Sequence, residues 1–161
     1  MTDLDHPLLN EPVRYILDGP HLSILATTDP DGKPQTSVIF VKRDGDHILF
    51  STIKGRRKTI NMSHDSRVSL LIHGLPVDRP SHAGDGPNYA TISGVVQLID
   101  DPTGEFHEEM YAIHMGGATP PPEPGAQRVI ARIVPQRVYV PTFPGPANAA
   151  GNADGQQAQD L

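Results

Sequence analysis

Residues 48–63 read Ile48-Leu-Phe-Ser-Thr-Ile-Lys-Gly-Arg-Arg-Lys-Thr-Ile-Asn-Met-Ser63. The apolar run Ile48-Leu49-Phe50 reads as the end of a strand, Gly55 breaks it, and Arg56 to Ser63 reads as a short helix. Lys54, Arg56, Arg57 and Lys58 place four cations in five positions, although the whole chain has only 13 Lys and Arg and a net charge of -6. A helix N-terminus already carries about half a positive charge, which favours anions and disfavours cations. Lys54 and Lys58 are also spaced i,i+4, where like charges repel. The arrangement is unfavourable alone and favourable around an anion, which free backbone N–H groups, the helix dipole and the cations would all face. Arginine adds planar, bidentate contacts to phosphate or carboxylate, and Ser51 and Thr52 add hydroxyls at the strand end. The stretch therefore reads as a phosphate site. A solvated basic turn is the plain alternative. Nucleic-acid binding is disfavoured, because the acidic remainder repels a polyanion and no aromatic residues interleave with the basic ones.

Outward from this stretch the chain is rich in short strands. His21 to Thr28 reads as a buried strand, and Asp29-Pro30-Asp31-Gly32 is a strong turn. Pro34 to Arg43 is a second strand, Asp44-Gly45-Asp46 a hairpin turn, and His47 to Thr52 a third strand, together a three-stranded meander. Arg67 to His73 is a fourth strand. Tyr89 to Ile99 is a fifth, with Gly94 as a bulge, and Gln127 to Val140 is a sixth, with a bend or an edge at Pro135. Residues 7–18 read as a helix that Asn10 caps and Pro12 enters early, with Val13, Ile16 and Leu17 on its apolar face. A further helix begins at Asp101-Pro102, with Asp101 as a candidate N-cap. Its core face is Phe106, Met110 and Ile113, and Gly116-Gly117 stops it. Gly74 to Asn88 and Thr119 to Gly125 read as loops. These elements predict a mainly β fold: a six-stranded antiparallel split β-barrel with peripheral helices. Residues 1–144 form one cofactor-binding domain, and residues 145–161, without an apolar pattern, form a disordered tail.

At 161 residues without cysteine, the chain offers no disulfide framework, thiol catalysis or Cys-ligated metal. No apolar run spans a membrane. The first residues, Met1-Thr2-Asp3-Leu4-Asp5, lack a basic segment followed by an apolar core, so a soluble cytoplasmic protein is expected. His107, Tyr111 and His114 share a helical stripe, which reads as a solvated face rather than a metal site. His73 and His82 read as polar loop residues. No nucleophile elbow, P-loop or GxGxxG occurs, so any catalysis relies on a bound cofactor.

Three segments carry a resemblance: Leu22-Ser-Ile-Leu-Ala-Thr-Thr-Asp-Pro-Asp-Gly-Lys-Pro-Gln-Thr-Ser37, Phe50-Ser-Thr-Ile-Lys-Gly-Arg-Arg-Lys-Thr-Ile-Asn61 and Asp65-Ser-Arg-Val-Ser-Leu70. In this order they resemble the pyridoxamine 5'-phosphate oxidase-like split-barrel superfamily, and within it most closely the flavin/deazaflavin oxidoreductases that use coenzyme F420. The resemblance extends over about residues 8–140. It implies a homodimer with two cofactor sites at the subunit interface. The cofactor's phosphate would be held by Ser51, Thr52, Lys54, Arg56, Arg57 and Lys58, and its ring would lie along Gln35, Thr36, Ser37 and Val38. It further implies F420-dependent hydride transfer to a small, conjugated organic substrate. FMN is the alternative cofactor, and a non-catalytic carrier or sensor is the reading from another class. On the sequence alone, replacing Arg56 and Arg57 together is expected to remove cofactor binding and leave the fold intact.

Overall fold

The computed structural model describes residues 8–74 and 89–140. The elements run α1 (Glu11–Leu17), β1 (Leu22–Thr28), β2 (Pro34–Phe40), β3 (Lys42–Asp44), β4 (His47–Ile53), α2 (Arg57–His64), β5 (Arg67–His73), β6 (Tyr89–Asp100), α3 (Glu105–His114) and β7 (Arg128–Tyr139). Seven strands form one antiparallel sheet in the order β2-β1-β5-β6-β7-β4-β3. The expected second strand is two strands, and this changes the topology. β2 pairs only with β1, while β3 pairs only with β4. The continuous meander read from the sequence therefore does not form. The chain turns at buried Val41 from one end of the strand order to the other. The two end strands are covalent neighbours, and the sheet curls around one core without closing its hydrogen-bonded ladder.

Alternation of side chains builds that core. In β1, β4 and β5 every second residue turns inward, the period of a strand with one buried face. Leu25, Ile48, Phe50, Leu70, Ile72, Ile92 and Ile133 are almost wholly enclosed. Each contributes about 1.5–3 kcal/mol relative to an exposed side chain. α1 adds Val13, Ile16 and Leu17 to the same cluster, and Leu9, just before its cap, joins them. Asn10 caps it as expected: its side-chain oxygen accepts from the Val13 N–H at 3.3 Å. Arg43 forks onto Asp18 at 2.7 and 2.8 Å, tying β3 to the end of α1.

Two irregularities bend the long strands. The register between β6 and β7 shifts at Ser93/Gly94, opposite Pro135. A Cβ at Gly94 would run into the Val134 carbonyl oxygen, so the bulge needs glycine there. β4 pairs with β7 from Arg128 to Ile133, so Pro135, which has no N–H, lies beyond that ladder. α3 begins later than the sequence suggests. Its N-cap is Gly104, at φ 74°, while Asp101 is buried outside the helix and accepts from the His107 N–H at 3.4 Å. Its packing face differs too: Met110 is buried, but Ile113 is exposed. Of the loop expected at Gly74 to Asn88 only Gly74 is among the described residues, and the tail expected at 145–161 lies outside them.

Candidate functional site

A pocket of about 240 Å³ opens on the outer side of the sheet, between β2, β4 and α3. Strand geometry explains its floor. Val38 and Phe40 leave β2, and Ser51 leaves β4, on the face away from the core, while Ile48, Phe50 and Thr52 turn inward. α3 forms the wall with His107, Met110, Tyr111 and His114. An ion pair between Lys42 of β3 and Glu109 joins α3 to the sheet. Phe40 and His114 stack with ring centroids 4.3 Å apart and planes 18° apart. His107 meets Tyr111 edge-on at 6.1 Å.

The opposite rim is basic. Arg56 and Lys58 enter the pocket from the start of α2, and Arg128 enters from the first residue of β7. Burial and, after it, the neighbouring Arg56 lower the pKa of Lys58. Its ammonium has no carboxylate partner among the described residues. The Ser51 hydroxyl is buried beside them, again without a hydrogen-bond partner among the described residues. The N-cap of α2 supplies no side-chain acceptor to its first turn. A half-buried cation, an orphaned hydroxyl and an uncapped helix end are each relieved by an anion. Burial and Arg128 also lower the pKa of His107, which disfavours a further positive charge on this rim.

The ten residues named from the sequence part company here. Val38, Ser51, Arg56 and Lys58 share the pocket. Thr36 leaves β2 on the same face as Val38 and is exposed. Thr52 is buried under the strand and hydrogen-bonds the Thr59 hydroxyl at 2.9 Å. Thr59 in turn donates to the Ile53 carbonyl at 2.8 Å, which holds α2 against the strand before it. Lys54 precedes the helix and pairs with Asp100 at 2.7 Å.

Arg57, Gln35 and Ser37 belong to a polar chain on the other side of α2. Arg57 is bound to Asp29 through both ends of its guanidinium, with Nε to Oδ1 at 2.9 Å. This contact, followed by that of Asn61, holds the Asp29 carboxyl below its ordinary pKa. Asn61, which is buried, donates to Asp29 at 2.8 Å and to the Thr27 hydroxyl at 3.0 Å. Thr27 donates to Gln35 at 2.9 Å, and Gln35 donates to Ser37 at 2.9 Å. These bonds tie α2 to β1 and β2. Arg57 thus has a structural partner in Asp29, which counts against the expectation that replacing Arg56 and Arg57 together leaves the fold intact.

Sequence reasoning did not place Phe40, Met110, Glu123 or Arg128 in the site, and it read His107, Tyr111 and His114 as solvated. Their i, i+4, i+7 spacing was the available signal, and it marks an inward face of α3. No cluster among the described residues has the makings of a metal site. No helix among them is long and apolar enough to cross a membrane.

Comparison with known proteins bears on what this pocket holds. The sequence model of the pyridoxamine 5'-phosphate oxidase family matches residues 9–140. The chain belongs to that family. A pyridoxine/pyridoxamine 5'-phosphate oxidase of Vibrio vulnificus strain YJ016 is 32% identical over 75 residues, 46% of this chain. The match spans only 36% of that oxidase's length. Among solved structures, an F420 reductase is similar at 29% identity with a TM-score of 0.65, covering 77% of this chain and 93% of the reductase. General Stress Protein 26 from Bacillus anthracis shares the fold at 19% identity and a TM-score of 0.59, over 84% of this chain and 96% of its own. The basic segment after β4 and the aromatic wall of α3 thus lie within a family match that runs almost from end to end of the described residues.

Proposed function

We propose that this chain is an oxidoreductase that binds a phosphate-bearing, flavin-type cofactor in the pocket between β2, β4 and α3, with coenzyme F420 as that cofactor. The observation that carries the reading is the pairing of Lys58, a half-buried cation without an anion among the described residues, with a wall of flat rings. Arg56, Lys58, Arg128 and the Ser51 hydroxyl would hold the phosphate. Phe40, Val38, Met110 and Tyr111 would lie along the ring, where apolar contact and stacking favour a planar heterocycle. The bound cofactor supplies the hydride that reduces a small conjugated acceptor. The chain orients the two partners and excludes water from between them. The F420 reductase neighbour favours the deazaflavin, since the match covers nearly all of that protein. The oxidase relatives favour FMN, the second reading.

The pocket is small for a flavin nucleotide, since ligand sites are usually about 300–1,000 Å³. A second copy of the chain would complete it. Ile24 and Val38 are cross-strand partners on the outer face of β1 and β2, and both are exposed, at 44% and 63%. Light scattering at micromolar concentration is expected to give a dimer, and a monomer would refute this part of the proposal. The cofactor itself is read by purifying the protein from a host that makes both F420 and FMN. A deazaflavin absorption spectrum and mass in the released ligand supports the first reading, and FMN supports the second. Absence of both, with no binding of either on titration, removes the proposal.

A further inference from the structure

Glu123 is the one acidic residue among those lining the pocket, and it stands on the basic rim. It lies in the proline-rich segment between α3 and β7, one side of a turn that the Ala126 N–H closes onto its carbonyl at 3.1 Å. Its carboxylate is ion-paired with Arg128. It also stands 3.8 Å from Arg56. Glu123 therefore meets two of the three cations that the proposed phosphate site depends on. The third, Lys58, has no such partner.

We infer that Glu123 is a specificity-determining residue of the anion site: its carboxylate sets the net charge of the rim and selects against phosphate monoesters in favour of phosphodiesters. The inference rests on the proposed cofactor reading. Arg56, Lys58 and Arg128 bring three positive charges, and Glu123 reduces them to two. A phosphate monoester carries close to two negative charges at pH 7, and a diester carries one. Repulsion from a fixed carboxylate is proportional to the charge on the ligand. Glu123 therefore opposes the monoester about twice as strongly, on a logarithmic scale, as the diester. Glu123 is partly exposed, so salt screens the effect and low ionic strength is where it shows.

The test uses the full chain and two probes, FMN as the monoester and F420 as the diester, each titrated into wild type and Glu123→Gln at low salt. Glutamine keeps the shape, and its side-chain oxygen can still accept the hydrogen bond from Arg128. If removing the charge tightens FMN binding about tenfold, the same repulsion on a phosphate of half the charge tightens F420 binding about threefold, and both gains shrink with added salt. Equal changes for the two probes, or none, would overturn the inference. Weaker binding of both in Glu123→Gln would also overturn it, since the carboxylate would then serve to hold Arg128 in place. A thermal melt of the unliganded variant shows whether it folds. If it does not, Glu123→Asp, which keeps the charge, is expected to retain the wild-type ratio of FMN to F420 affinity, and a ratio that shifts toward FMN contradicts the inference. Failure of wild type to bind either probe would instead refute the cofactor reading itself.

Discussion

Arg57 and Lys58 are neighbours in the sequence and stand on different sides of α2. Successive residues of a helix are about 100° apart, so a run of cations cannot face one ligand together. Arg57 turns toward the β1–β2 turn, where Asp29 neutralises it and Asn61 and Thr27 extend the contact into the core. Lys58 turns toward α3, where burial and Arg56 disfavour its charge and no carboxylate among the described residues offsets them. One cation fastens the helix, and the other is left for something the chain does not supply. A charge cluster in a sequence is thus not a site until its members are sorted by partner.

The largest expected effect comes from removing the unpaired side. The Arg56→Ala/Lys58→Ala double variant loses two charge-assisted hydrogen bonds to phosphate, each worth about 1.5–3 kcal/mol. Cofactor affinity, read by fluorescence titration, is expected to fall by a factor on the order of 10² to 10⁴. The unliganded variant should melt no lower than wild type, because repulsion at the helix start is removed and alanine at position 58, inside the helix, favours it. A markedly lower melting temperature would mean that these cations also fasten the fold.

Disruption of the paired side is expected to act on stability instead. Asn61→Ala leaves Asp29 and Thr27 short of a donor inside the protein, a loss of about 1–3 kcal/mol. In a domain of this size that lowers the melting temperature by roughly 2–4 °C for each kcal/mol. Affinity loss comparable to that of the double variant, without a change in melting, would place the ligand on the wrong side of the helix.

The smallest effects are in pH: both lowered pKa values make stability rise with pH, Asp29 in the acid range and Lys58 in the alkaline range. Asp29 has a folded pKa below its unfolded one, so its contribution to stability is present above the ordinary carboxylate range and is lost as pH falls through the depressed value. Lys58 also has a folded pKa below its unfolded one. Its charge strains the unliganded protein at neutral pH, and stability recovers as pH rises through the depressed value. A bound phosphate favours the ammonium, so binding takes up protons there. Affinity should begin to decline at a pH below the ordinary lysine range, as read by titrations across pH. An affinity independent of pH up to that range would separate Lys58 from the ligand.

Much of the fold was legible because strands with one buried face announce themselves by alternation. Arg67 to His73 and Asn10 with its helix match the structure closely, as does the bulge at Gly94. The break at Val41 was not legible. Phe40-Val41-Lys42 continues an apolar strand pattern, and only the curl of the sheet decides that β2 and β3 take opposite ends of it. The face of α3 was misread for a related reason. Ile113 sits on an apolar period, but the helix lies across the outside of the sheet and turns His107, Tyr111 and His114 toward the pocket. Asp29 is 28 positions from Arg57, and nothing local marks them as a pair. Half of the site was readable as charge, and its sorting into anchor and rim needed three dimensions.

The central claim is that the anion sits on the Lys58 side of α2 and not on the Arg57 side. Parallel titrations of F420 and FMN into wild type, Lys58→Ala and Arg57→Ala test it most directly. One lost charge-assisted contact predicts a loss of about tenfold to a hundredfold in affinity for Lys58→Ala. Arg57→Ala should bind within about threefold of wild type once scored on its folded fraction, since surface pairs and distant charges act weakly. The reverse order, with Lys58→Ala binding normally and Arg57→Ala losing the cofactor, would contradict the account.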